Sequence, residues 1–278
     1  MIERGEFKDS LFHIFYNDNV LLITTLKIAH SSCRRIFIDD NPAIDSSYIS
    51  NTFDFKIKGE HRLREPQISY DNEIYQIWNN FLEKNENRDF LILHRDPYQH
   101  FISSFIEDFF HFNDNMGGMG RAFIYDYIKS ISNYSEMAHD FHSELLNQKE
   151  IDIDLIQKYP TIVEPFINKL LQYCLIDHEP LGHFSQWNSF IYSLYDSNLF
   201  DKNKIKFSDI YEEPLEVSLS GYVSDELIKN AGGQWKKYSP MFGYIDGLIK
   251  SNSSFSESVD SLLKDEYIAY NKIKNELL

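Results

Sequence analysis

One apolar run limits what this chain can become. Residues 20–26 read VLLITTL, apolar or β-branched throughout, and have the length and composition of a buried strand. The run is far too short to cross a bilayer. It gives way at once to Lys27, Ile28, Ala29, His30, Ser31 and Ser32, and then to Cys33, Arg34, Arg35, Ile36 and Phe37, which read as the first turns of a helix. A strand, a short turn and a helix start together make an anion site, because backbone N–H groups at the helix N-terminus are unpaired and the helix dipole favours negative charge there. Lys27 adds a positive charge, and Ser31 and Ser32 add hydroxyl donors. The plainer account of the same residues is a buried strand, a loop lysine and a serine N-cap.

A second stretch repeats the pattern. Residues 90–95 (FLILHR) form another apolar strand, and Asp96-Pro97 leads into a helix with proline in its first turn. Arg95 stands at the carboxyl end of that strand and Ser103 on the helix after it. The ends of such strands are where open α/β sheets bind ligands. Taken alone, Arg95-Asp96 is also consistent with a surface ion pair at a strand end.

With both stretches in place, the chain resembles the sulfotransferases that use 3′-phosphoadenylyl sulfate (PAPS), in particular those that sulfate carbohydrates. In that family a PKxxxTS loop after the first strand binds the 5′-phosphosulfate, and residues 26–32 (LKIAHSS) are similar to it. An RxPxxRxxSxF/Y motif binds the 3′-phosphate, and residues 95–105 (RDPYQHFISSF) match its arginine-to-serine spacing. Leu26 stands where the family has proline, and His100 where it frequently has arginine. Residues 262–270 (LLKDEYIAY) also look like the family's tyrosine-bearing tail. The resemblance implies an α/β fold with a P-loop-like central parallel sheet flanked by helices, followed by a helix-rich C-terminal half, all within a single domain over residues 1–278. It implies PAPS as co-substrate, held by Lys27, His30, Ser31, Ser32, Cys33, Arg95 and Ser103.

Composition agrees with a single well-cored domain. Of 278 residues, 42% are hydrophobic and 15% aromatic, ample for a large core. Two cysteines, Cys33 and Cys174, do not suggest a disulfide framework. No apolar leader with a small-residue cleavage site stands at the N-terminus. Animal members of the family carry a membrane anchor, so this chain is expected to be a cytoplasmic, bacterial-type enzyme with no integral membrane segment. The net charge of −16 argues against nucleic acid as a partner, since a nonspecific binder needs a basic face. An anionic co-substrate then requires a basic island, for which Lys27, Arg34, Arg35 and Arg95 are the candidates.

Along the chain, residues 1–19 read as a polar, aromatic-rich lead-in. Residues 51–58 (NTFDFKIK) alternate like a second strand, and residues 71–83 place Ile74, Ile77, Trp78, Phe81 and Leu82 at helical spacing. The helix after Pro97 should turn Phe101, Phe105, Ile106 and Phe109 inward. Residues 113–121 (NDNMGGMGR) read as a loop between helices, with a substrate lid as the alternative. Residues 122–150 are helical and polar, and residues 151–176 helical with interruptions at Pro160 and Pro165. A helix spans residues 184–195, a late strand residues 204–211, and the remainder is helical apart from a break at residues 231–233.

The resemblance implies transfer of a sulfuryl group to an acceptor hydroxyl, on a saccharide or glycolipid, through a loose in-line transition state in which positioning and electrostatics dominate. It places Lys27 on the bridging oxygen that gains charge, Ser31 and Ser32 on the 5′-phosphate, and Arg95 and Ser103 on the 3′-phosphate. The acceptor needs a base. Residues 58–61 (KGEH) follow the expected second strand, and either Glu60 or His61 serves. His183 ranks third, and His94 is expected to pack against the sheet. No Cys/His cluster has metal-ligand spacing, and the chemistry needs no metal. Two alternatives come from other classes. A nucleotide-dependent kinase or NTPase would need GxxxxGK[ST], which the loop before Ser31 lacks. A catalytically inactive nucleotide-binding module would keep the fold without the reaction.

Overall fold

The computed structural model describes residues 12–16, 19–25, 28–29, 32–33, 36, 52–53, 87–110, 124, 126–128, 130, 136–148, 150–177, 184, 187–196, 202–210, 212–226 and 235–277. The chain divides into two compact units, each made of separated segments.

The first unit comprises Met1–His100, Phe184–Trp235 and Leu263–Leu278. Its centre is a five-stranded sheet of order β3-β1-β2-β4-β5. The strands are β1 (Phe12–Tyr16), β2 (Val20–Thr25), β3 (Thr52–Phe53), β4 (Asp89–His94) and β5 (Ile205–Asp209). β2, β4 and β5 run parallel, whereas β1 is antiparallel to both β2 and β3. The sheet is therefore mixed, with a parallel half of three strands. The apolar runs find their explanation in this order. β2 and β4 lie inside the sheet, and Val20–Ile23 are 0% exposed while Phe90–Leu93 are at most 3% exposed. Strands covered on both faces read as continuous hydrophobic stretches rather than alternating ones. β5 lies at the edge and keeps Lys206 exposed between Ile205 and Phe207.

Three sequence expectations for this unit match observed elements: β2, β4 and the late strand β5. The lead-in expected before residue 20 contains β1, which pairs Phe12 with Thr25 through Tyr16 with Leu21. Asn and Asp at positions 17–19 are favoured turn residues, and two short apolar runs flanking such a cluster read as a hairpin. Of the strand expected over residues 51–58, Thr52–Phe53 are observed as β3; the rest of it, and the helix expected over residues 71–83, lie outside the described residues.

Helices pack around the sheet in this unit. Trp187 and Ile191 of α5 (Trp187–Asp196) and Ile273, in the last helix, join β2, β4 and Phe207 in one apolar cluster. That part of the chain belongs to α8 (Ser253–Leu277), which buries Leu263, Glu266, Ala269, Tyr270 and Ile273 on one helical face.

The second unit comprises Phe101–His183 and Lys236–Leu262 and is helical. α1 (Pro97–Phe110) begins in the first unit and continues here, as an unbroken helix. Its Phe101, Phe105, Ile106 and Phe109 are buried, as their spacing predicts. Phe105 meets Phe109 and Phe110 with ring centroids 5.1 and 5.7 Å apart, close to the tilted and edge-on geometries aromatic rings prefer. α2 (Glu136–Gln148) contributes Phe141, which meets Tyr159 edge-on. α3 (Ile153–Lys158) starts at Asp152, whose Oδ1 accepts the Leu155 N–H at 2.8 Å. α4 (Pro160–Leu175) follows after one residue.

Pro160 and Pro165 behave differently from each other. Pro160 ends α3 and opens α4, where its missing N–H costs nothing. Pro165 lies inside α4 without ending it, on an exposed face near the helix start. The interruption expected at Pro165 is thus absent. The remaining helices are the short α6 (Leu215–Ser218), in the first unit, and α7 (Trp235–Ser251). Residues 113–121 and 231–233 lie outside the described residues. Among the described residues no helix is long and apolar enough to cross a membrane.

Candidate functional site at the carboxyl edge of the sheet

Because β2, β4 and β5 are parallel, their carboxyl ends share one edge of the sheet. Three turns leave from that edge, and each carries polar groups that its surroundings hold in place.

After β2 the described residues Ile28 and Ala29 lie in a turn. The Thr24 hydroxyl donates to Ile28 O. Ala29 takes a positive φ of 54°, a left-handed conformation that costs a non-glycine residue about 1–2 kcal/mol. The Cys33 N–H then donates to Ala29 O at 2.9 Å, and Ser32 and Cys33 are helical. A left-handed residue followed by a helical pair thus stands after β2, and the rest of the expected turn and helix lies outside the described residues. Strain of this kind concentrates at functional turns. The Cys33 side chain lies wholly in the apolar core, and burial pushes its thiol well above the usual range.

The end of β4 is held from two sides. His94 O accepts from Ile210 N at 3.1 Å, on the β5 side. Backbone groups alternate along a strand, so the carbonyls of Leu93 and Arg95 face the other way, toward β2. The pairing of β2 with β4 runs from Val20 opposite Asp89 to Ile23 opposite Ile92. Beyond it, the start of α5 takes over. Trp187 Nε1–H donates to Leu93 O at 2.7 Å, and Asn188 Nδ2–H donates to Arg95 O at 3.1 Å. Buried carbonyls are thereby satisfied where the sheet stops supplying donors. The start of α5 is itself fixed: the N–H groups of Asn188 and Ser189 donate to Oε2 and Oε1 of Glu266, each at 2.9 Å. Glu266 is fully buried, and desolvation pushes its carboxyl up to about 7 against the opposing effect of these hydrogen bonds.

Arg95 is 4% exposed, so it is not a surface residue. Asp96 caps α1 through its Oδ1, which accepts the Gln99 N–H at 3.0 Å. The surface ion pair open to Arg95-Asp96 on sequence alone therefore gives way to a buried arginine beside a helix cap.

At the end of β5, Asp209 is buried opposite His94. Tyr270 of α8 donates its hydroxyl hydrogen to Asp209 Oδ2. The His94 ring lies edge-on to Phe207 at 6.2 Å and tilted to Tyr270 at 5.6 Å. Its two nitrogens make no hydrogen bond. Burial depresses its pKa to about 4 even though Asp209 opposes the shift. His94 thus packs against the sheet as expected. Nearby, Lys274 pairs with Glu212, and the Ser208 hydroxyl meets those of Ser218 and donates to Glu213.

Of the expected site residues, Lys27, His30, Ser31, Glu60, His61 and His183 lie outside the described residues. Ser32 is buried at the start of the helical segment after β2, and Arg95 is buried at the end of β4. Ser103 is half-buried on α1, in the second unit. His100 is buried with its ring 5.2 Å from that of Phe184. Among the described residues no group of three or more His, Cys, Asp and Glu side chains is arranged to hold a metal. Sequence reasoning passed over Asp209, Trp187, Asn188 and Glu266. Asp209 had a usable signal, since it closes a strand whose carboxyl end falls where α/β sheets bind ligands. The roles of Trp187 and Asn188 depend on a fit to β4 that no local pattern encodes.

Together these elements define a mixed α/β protein whose polar groups gather at the carboxyl edge of a three-strand parallel array. No family model, no curated protein and no solved structure matches the chain.

Proposed function

We propose that this protein is a P-loop-like, cytoplasmic sulfotransferase that moves the sulfuryl group of PAPS to a hydroxyl on a saccharide or glycolipid. The observation that carries this reading is the pairing of β2 with β4. The two are adjacent and parallel, so the stretch similar to the 5′-phosphosulfate loop and the stretch similar to the 3′-phosphate motif begin at neighbouring strand ends on one edge. A nucleotide bearing phosphates at both positions needs two such anchors side by side. The left-handed Ala29 in the first turn supports the same reading, because a tight strand-to-helix turn directs backbone N–H groups at an anion. β3 is antiparallel to β1, which is antiparallel to β2, so β3 runs in the direction of β2. Glu60 and His61, the proposed bases, lie outside the described residues.

In this reaction the acceptor oxygen forms a bond to sulfur as the bond from sulfur to the bridging phosphate oxygen breaks. Adenosine 3′,5′-bisphosphate leaves, and the acceptor proton passes to Glu60 or His61. Lys27 neutralises charge on the leaving oxygen, Ser31 and Ser32 hold the 5′-phosphate, and Arg95 holds the 3′-phosphate. No metal takes part.

The test is transfer of labelled sulfate from PAPS to a panel of saccharides and small alcohols, by the wild-type protein and by Lys27→Ala. Loss of one preorganised donor to developing charge costs about 3–4 kcal/mol of barrier, so the variant should turn over at least a hundredfold more slowly while remaining folded. Undiminished turnover by Lys27→Ala would remove the assignment of the loop.

A further inference from the structure

We infer that Asn188 is a positioning residue for Arg95, and that Glu266 holds Asn188 for that purpose, so that the start of α5 sets the nucleotide selectivity of the strand-end arginine. The inference rests on the reading of Arg95 as the 3′-phosphate anchor.

Three groups act in series within the first unit. Glu266 takes the N–H groups of Asn188 and Ser189 with its two oxygens, which fixes both the position and the rotation of the helix start. The side chain of Asn188 then reaches Arg95 O, and that of Trp187 reaches Leu93 O. The two carbonyls are one strand repeat apart and face the side on which β2 has stopped pairing. Trp187 and Asn188 therefore continue the sheet's hydrogen bonding past its last paired residue, up to the backbone of Arg95 itself. A guanidinium must be set within a fraction of an ångström to meet a phosphate with two donors. Arg95 lies between the end of β4 at His94 and the start of α1 at Pro97. Replacing Asn188 keeps the arginine side chain and removes this hydrogen bond to its carbonyl.

The experiment compares adenosine 3′,5′-bisphosphate with 5′-AMP by calorimetric titration of wild-type protein, Asn188→Ala and Asn188→Ser, with thermal melts on all three. Only the bisphosphate carries the 3′-phosphate. The expected result is a wild type that prefers the bisphosphate and an Asn188→Ala that binds it about tenfold more weakly, with affinity for 5′-AMP unchanged, a loss on the scale of one well-placed hydrogen bond. Asn188→Ser, a residue favoured at helix starts, is the variant read if Asn188→Ala does not fold. A selective wild type with equally selective variants would overturn the inference while leaving the proposed function standing. So would failure of both variants to fold, because Asn188 would then serve stability. A wild type that binds the two nucleotides alike would overturn the proposed function, and the inference with it.

Discussion

Tyr270 donates its phenolic hydrogen to Oδ2 of Asp209, tying the last long helix to the end of the last strand. Both residues are buried, and the His94 ring lies against Tyr270 from the neighbouring strand end. A carboxylate in such a place needs its donors, because burying a charge without hydrogen bonds is costly. Tyr270→Phe keeps the ring and its contact with His94 but removes the donor. The variant should lose about 1–3 kcal/mol of stability, read as a lower urea midpoint at unchanged slope. A midpoint equal to that of the wild type would mean that Asp209 does not depend on Tyr270.

His94 and Glu266 should give the protein opposing responses to acid. Burial lowers the His94 pKa from 6.5 to about 4, so the unfolded chain binds the proton first and the stability tied to the neutral ring is lost as pH falls from about 6.5 toward 4. Burial raises Glu266 from 4.5 to about 7, so the folded chain binds the proton first and stability is gained as pH falls from 7 toward 4.5. Each contribution amounts to about 2 kcal/mol by pH 5, and their signs are opposite. Relative to wild type, His94→Phe should therefore become more stable on going from pH 7 to pH 5, and Glu266→Gln less stable. Urea midpoints of the three proteins at the two pH values check this, and parallel profiles would refute it.

Much of the sheet was legible because its inner strands are covered on both faces. That burial demands unbroken apolar runs, which is why β2 and β4 stood out as strands, and why the spacing of Phe101, Phe105 and Phe109 marked the inner face of α1. β1 was missed because its apolar run, Phe12–Tyr16, is short and interrupted by His13, and the turn residues after it were the better clue. Pro165 misled because a proline near a helix start, on an exposed face, forfeits little. Of the candidate site, the strand ends could be read from sequence, but their supports could not. Glu266 and Asn188 lie far apart in the chain and meet only through tertiary packing. A buried glutamate within a polar helical stretch has no local signature.

The central claim is that one edge of this sheet holds both phosphates of a PAPS-type nucleotide. Calorimetric titration of the wild-type protein with adenosine 3′,5′-bisphosphate, 5′-AMP and ATP tests it most directly, with Arg95→Ala alongside. Tight binding of the bisphosphate, at least tenfold weaker binding of 5′-AMP and ATP, and loss of that preference in Arg95→Ala are predicted, on the scale of one charge-assisted phosphate contact. Equal binding of the three nucleotides, or none, would contradict the claim.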